Sequence, residues 1–91
     1  MRVVHLLISG TVQGVGYRAW VADMAYLHGI AGWVRNRRDQ TVEAVFAGNE
    51  ASVDAMCAAC RSGPAGARVT GVIVTDWLGE APSGFAVLST V

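Results

Sequence analysis

One stretch of the chain combines a flexible backbone with a permanent cation: Gly10-Thr11-Val12-Gln13-Gly14-Val15-Gly16-Tyr17-Arg18. It leaves an apolar run and enters a segment of helical periodicity. Amides at a helix start point outward unpaired and carry partial positive charge. Gly14 and Gly16 allow the left-handed backbone that lets successive N–H groups wrap an anion. The Arg18 guanidinium adds a planar set of donors suited to a phosphoryl group. The spacing alone leaves a second reading open, a Gly-rich connection whose Arg18 caps a helix or pairs with an acid. It is neither a Walker loop nor a dinucleotide fingerprint, since it lacks both the Lys and the G-x-G-x-x-G order.

Other chemistry-bearing residues read as structural. Cys57-Ala58-Ala59-Cys60 has C-x-x-C spacing, but it falls late in an amphipathic run. No second Cys or His pair stands nearby to complete a zinc site. The pair reads as small helix residues, at least one facing the core. His5 alternates along the first strand, and His28 ends the first helix, where its charge suits the dipole. Arg35, Arg37 and Arg38 read as a solvated hairpin turn with a secondary role in steering anions. Asp23, one turn beyond Arg18, is a candidate partner for a nearby Arg. Trp20 and Trp33 read as packing residues and Trp77 as a loop anchor.

The elements that must position these residues follow from periodicity. Strands are expected over 2–9, 30–36, 41–47, 68–76 and 84–89, and helices over 18–28 and 50–61. Residues 10–17 form the loop before the first helix, whose inner stripe is expected to be Trp20, Met24 and Leu27, widened by Val21 and Ala25. Gly29 stops that helix, Asn49 caps the second, and residues 62–66 break it. Arg37 to Gln40 turn the chain in a hairpin. The order is βαββαβ plus a short C-terminal strand. That is an α+β, ferredoxin-like split β-α-β sandwich, with two helices on one face of a mainly antiparallel sheet.

Composition narrows the class. Residues 1–91 are expected to form a single domain. Hydrophobic residues make up 53% and charged residues 15%, too apolar for a disordered chain. The formal net charge of zero weakens any reading as a nucleic-acid binder. All 7 basic residues are Arg, which excludes a Schiff-base lysine. No apolar run approaches the ~18 residues of a membrane helix, and no leader is evident, so a cytoplasmic protein without a membrane partner is expected.

The segment Gly10 to Arg18 resembles the signature loop of the acylphosphatases. Gly29-Ile30-Ala31-Gly32-Trp33-Val34-Arg35-Asn36-Arg37-Arg38-Asp39 resembles their second signature, and Gly63-Pro64-Ala65-Gly66-Ala67-Arg68-Val69 also fits. The resemblance spans almost the whole chain. It implies a free-standing hydrolase of small acyl phosphates that releases a carboxylate and inorganic phosphate, with no metal, no cofactor and no phospho-enzyme. Arg18 and the amides of about residues 14–18 would hold the phosphoryl group; Gln13, Gly14, Val15, Gly16, Tyr17 and Arg18 are the expected substrate-binding set. Asn36 would orient the attacking water. A monomer is expected. The resemblance also implies that the C-terminal strand lies near the site, with the Val91 carboxylate as a candidate support for Arg18.

Two positions depart from the family. Gln40 stands where Gly is frequent, so a different turn type or mild strain is expected. Tyr17 stands where Phe is common; its ring is expected to pack with the hydroxyl reaching solvent. Rival readings are an RNA-binding ferredoxin-like module, a domain serving a carbamoyl-phosphate-using maturation system, and a redox C-x-x-C. RNA-recognition sheets display aromatics on central strands, and here only Trp33 and Phe46 qualify.

Overall fold

The computed structural model describes residues 1–91. The elements are β1 (Arg2–Thr11), α1 (Tyr17–His28), β2 (Ala31–Asn36), β3 (Val42–Gly48), α2 (Glu50–Ser62), β4 (Arg68–Asp76) and β5 (Phe85–Val87). They form one sheet in the order β4-β1-β3-β2-β5. The pairs β1–β3, β1–β4 and β2–β3 are antiparallel, and β2–β5 is parallel. This is the expected ferredoxin-like α+β plan. Strand alternation sends Val4, Leu6 and Ile8 of β1, Val34 of β2, and Val42, Ala44 and Phe46 of β3 into the core. Val21 and Ala25 of α1 and Val53, Met56, Cys57 and Cys60 of α2 close it.

The loop before α1 is shorter than expected. β1 runs on to Thr11 because β4 continues to pair with it across a register shift between Ser9 and Gly10, so Thr11 faces Arg68. The inner face of α1 is also rotated. Tyr17, Val21 and Ala25 are buried, Trp20 and Met24 pack at the flank, and Leu27 is 74% exposed rather than inward. Tyr17 accounts for the rotation. Its ring is buried, and its hydroxyl donates to the Cys60 carbonyl at 2.7 Å, so the expected reach to solvent is not found. That bond ties the first turn of α1 to α2 and contributes on the order of 1 kcal/mol.

Asn49 caps α2 as expected, accepting from the Ser52 amide at 2.8 Å. Both cysteines of the C-x-x-C pair are buried and free. Burial pushes the Cys60 thiol up to about 12 and raises Cys57 as well. Such thiols are inert packing groups rather than a redox pair.

The sheet face away from the helices is also covered above β3. Glu43, Val45 and Ala47 on that face are buried. A closed ring of side chains lies over them. His5 Nε2 meets Glu43 Oε2 at 2.6 Å, and Arg35 Nε donates to Glu43 Oε1 at 2.7 Å. The Arg35 guanidinium sits 4.7 Å over the Trp33 ring, Trp33 meets Trp77 edge-on, and Trp77 stacks on His5. Trp77 thus anchors the segment after β4, as expected.

In the β2–β3 hairpin, Gln40 is the single non-glycine residue with positive φ, at 75°. A two-residue mirror-type turn would need positive φ at its first central residue (type II′) or at both (type I′), whereas Gln40 is the last residue of the loop closed by Arg37 N to Thr41 O, so this is the expected different turn. The arrangement fits a three-residue loop that ends in one left-handed residue. A left-handed side chain costs roughly 1–2 kcal/mol, so the expected strain is also present. Replacing Gln40 with Gly relieves that strain, but it frees the unfolded chain by about 0.4–1 kcal/mol. The net expectation for Gln40→Gly is a stabilisation of about 0.5–1 kcal/mol, read as a raised urea midpoint with an unchanged m-value.

Candidate active site

The cavity of interest lies between the loop after β1, the first turn of α1, and the ends of β2 and β5. Its volume is ≈ 300 Å³, and it is lined by Val12, Gln13, Gly14, Gly16, Tyr17, Arg18, Ala19, Asn36 and Val87. That size suits a small ligand. Gly14 and Gly16 hold φ of 74° and 78°. Their glycine identity is required by that left-handed backbone and not by crowding, since a Cβ at either would meet nothing within 4 Å.

The start of α1 is electrostatically bare. Gly16 occupies the N-cap, no side chain caps it, and no acid stands in the first turn. The first backbone bond into the helix runs from Trp20 N to Gly16 O. The preceding amides therefore keep unspent donors at the positive end of the helix dipole. Arg18 opens beside them and enters no ion pair; the pairs present are Arg2–Asp54, His5–Glu43, Arg35–Glu43, Arg37–Asp39 and Arg37–Glu43. Asp23 is exposed and does not take the partner role expected of it. The second reading of the loop, with Arg18 paired to an acid, is thereby removed.

Asn36 comes from the last position of β2, 18 residues beyond Arg18 in sequence, and lines the same cavity. Its side chain shares a face with Val34, toward the helices. Its Oδ1 atom is buried and has no hydrogen-bond partner in the protein. Buried acceptors are nearly always paired, and leaving one unpaired costs about 1–3 kcal/mol. The Asn36 carboxamide is thus held in reserve rather than spent on the fold.

Three contacts set the geometry around it. The Gln13 side-chain amide donates to the Arg37 carbonyl at 2.7 Å and the Thr41 carbonyl at 2.9 Å. Those two residues close the hairpin through Arg37 N to Thr41 O at 2.9 Å. Gln13 therefore pins the glycine loop to the turn adjoining Asn36. From the other side, Val91 N donates to Asn36 O at 3.1 Å, and Arg38 N donates to Val91 O at 2.8 Å. The C-terminal segment thus grips the backbone at Asn36, and the expected ion pair between the Val91 carboxylate and Arg18 is not formed. Third, Glu43 gathers His5, Arg35 and Arg37 on the opposite sheet face, with Arg37 at 3.6 Å. Burial pushes the Glu43 carboxyl up, but the bonds from His5 and Arg35 outweigh it and leave the group below its ordinary value.

Of the residues expected at the site, Gln13, Gly14, Gly16, Tyr17, Arg18 and Asn36 line one cavity, while the Val15 side chain packs against the core. Arg35 and Arg37 are ion-paired instead of forming a solvated turn. Sequence reading missed Glu43, Val87 and the side-chain role of Gln13. A Glu within the apolar run Val42 to Ala47 was the available signal for the first. No three His, Cys, Asp or Glu side chains converge to hold a metal ion, and no helix is long and apolar enough to cross a membrane.

Comparisons with known proteins agree with this fold. The family model described as Acylphosphatase matches residues 4–87. An acylphosphatase of Azorhizobium caulinodans is 55% identical over 91 residues, covering 97% of this chain and 96% of the relative. One from Rhodospirillum rubrum is 51% identical over 86 residues, covering 94% of each. The crystal structure of acylphosphatase from Bacillus subtilis superposes with a TM-score of 0.91 at 32% identity, covering 97% of this chain and 99% of that one.

Two outcomes follow from these contacts. Gln13→Leu removes two hydrogen bonds, although each carbonyl keeps a backbone donor, and is expected to cost about 1–3 kcal/mol in urea unfolding. Because the Glu43 carboxyl is lowered in the folded state, its contribution is present above the unfolded value of about 4.3 and is lost as pH falls through the folded value. Wild-type stability is therefore expected to drop on acidification below about pH 5, and Glu43→Gln to show a shallower drop, in urea midpoints measured from pH 7 to pH 3.

Proposed function

The chain belongs to the acylphosphatase family, and from that premise we propose that it hydrolyses the carboxyl–phosphate bond of small acyl phosphates, releasing a carboxylate and inorganic phosphate. Arg18 and the amides of residues 14–18 hold the phosphoryl group, and Gln13 supports that loop. Asn36 orients the attacking water. The observation that carries this reading is the unpaired, buried Asn36 Oδ1 in the same cavity as an Arg18 that has no ion-pair partner.

The chemistry needs little more. A carboxylate leaves without protonation at neutral pH, so a general acid is dispensable. What remains is positioning and stabilisation of charge on the equatorial oxygens, which dominate phosphoryl transfer. A guanidinium and a cradle of amides stabilise that charge. A carboxamide suits the water, because its oxygen accepts and its NH2 donates. The water oxygen forms the new bond to phosphorus as the P–O bond to the acyl oxygen breaks, and the electron pair leaves with the carboxylate. No lining residue is a general base; the phosphoryl oxygens of the substrate take the water proton. The same reading makes the enzyme a metal-independent, cytoplasmic monomer of one domain, with no nucleic-acid or membrane partner.

The test is hydrolysis of benzoyl phosphate by purified protein in excess chelator. Wild type is expected to turn over. Arg18→Ala is expected to lose at least about 2.7–4 kcal/mol of transition-state stabilisation and to raise KM as well. Asn36→Ala is expected to lower kcat by a similar amount with KM little changed, since it touches the water and not the substrate. Near-normal kcat in Asn36→Ala removes the role given to that residue, and chelator-sensitive turnover removes metal independence.

A further inference from the structure

Asn36 sits between two arginines whose side chains leave the opposite face of β2, and both converge on one buried carboxylate. Arg35 Nε meets Glu43 Oε1 at 2.7 Å, and Arg37 meets the same oxygen at 3.6 Å. Strand alternation places residues 35 and 37 on one face and residue 36 on the other. Holding the two neighbours therefore sets the direction in which the Asn36 side chain leaves the backbone. Asn36 pairs with Val42, and Glu43 is the next residue along β3, paired with Arg35. The carboxylate thus acts one strand away from Asn36 and from behind the sheet.

We infer that Glu43 is a positioning residue for the hydrolytic reaction: by clamping Arg35 and Arg37, it fixes Asn36 toward the cavity. The inference rests on the role proposed above for Asn36. The groups facing Glu43 are His5 from β1 and Arg35 and Arg37 from β2 and its end; Asp39 shares Arg37 at 3.6 Å. Without the carboxylate, two like charges flank Asn36 at the end of a strand, and only Arg37 keeps a counter-ion, the exposed Asp39. Their repulsion loosens the segment that aims the carboxamide. Orientation is sensitive to such loosening, since a misplacement of about 1 Å costs on the order of 10²-fold in rate. The phosphoryl cradle lies on other elements and meets this segment only through the Gln13 bonds to the Arg37 and Thr41 carbonyls, so its affinity for phosphate depends far less on Glu43 than the aim of Asn36 does.

The test is a double-mutant cycle on benzoyl phosphate hydrolysis, with inhibition by inorganic phosphate measured alongside. Glu43→Gln is expected to lower kcat about tenfold, while KM and the phosphate inhibition constant change less than about twofold. In the Asn36→Ala background the same substitution is expected to cost less than about twofold, because its target is already gone. Arg35→Met keeps the aliphatic stem over Trp33 and removes the same ion pair, so it is expected to lower kcat severalfold even if Glu43→Gln fails to fold. His5→Phe keeps the stack on Trp77 and removes the Glu43 contact farthest from Asn36; it is expected to leave kcat unchanged. Equal costs of Glu43→Gln with and without Asn36, or unchanged kcat in both Glu43→Gln and Arg35→Met, overturn the inference. An inactive wild type would instead overturn the function proposed for the site.

Discussion

The site depends on the register of β3 against both of its neighbours. Ile8 of β1, Val42 of β3 and Asn36 of β2 lie in one row across the sheet. That row places the end of β1, where the glycine loop begins, level with the end of β2, where Asn36 projects. A slip of one residue would turn Asn36 to the other face, away from the loop. The buried Val42, Ala44 and Phe46 oppose such a slip, since each would leave the core. The hydrophobic pattern of one central strand therefore governs the distance between two polar groups on separate elements.

The same strand separates two kinds of chemistry. On the helix face, polar groups are left unspent: bare amides at the start of α1, an unpaired Arg18 and the Asn36 oxygen. On the opposite face most are spent, and the buried Arg37 Nε is the exception without a hydrogen bond. Glu43 satisfies His5 and Arg35 and draws in Arg37, and the tryptophans cover what remains. Taking a carboxylate out of water is costly unless it is paired and hydrogen-bonded, and here several donors meet that condition. Neutralising Arg35 and Arg37 locally also leaves Arg18 as the uncommitted cation at the cavity.

Tyr17 illustrates how core and site share residues. It lines the cavity and is buried, and its hydroxyl fixes α1 to the Cys60 carbonyl of α2. The position of the helix start, and so of its free amides, is tied to the packing of the second helix. The buried thiols belong to that packing too. Strain at Gln40 lies at the hairpin tip, three residues beyond Arg37, where the turn links β2 to β3.

The order of elements was legible in the chain because period-2 and period-3.6 patterns are local properties. So was the loop, because glycines before an arginine at a helix start have a direct electrostatic meaning. The pairing of Arg18 with Asn36 was available only through family resemblance; no local rule joins residues 18 apart on different elements. The rotation of α1 that exposes Leu27, the inward hydroxyl of Tyr17, the grip of Val91 on Asn36 and the convergence of His5, Arg35 and Arg37 on Glu43 were decided by tertiary structure. Each depends on which strands lie side by side, and on which side chains then share a space too small or too dry to leave a polar group alone. A sequence states which groups are available, whereas the partner each one meets is set by register and packing.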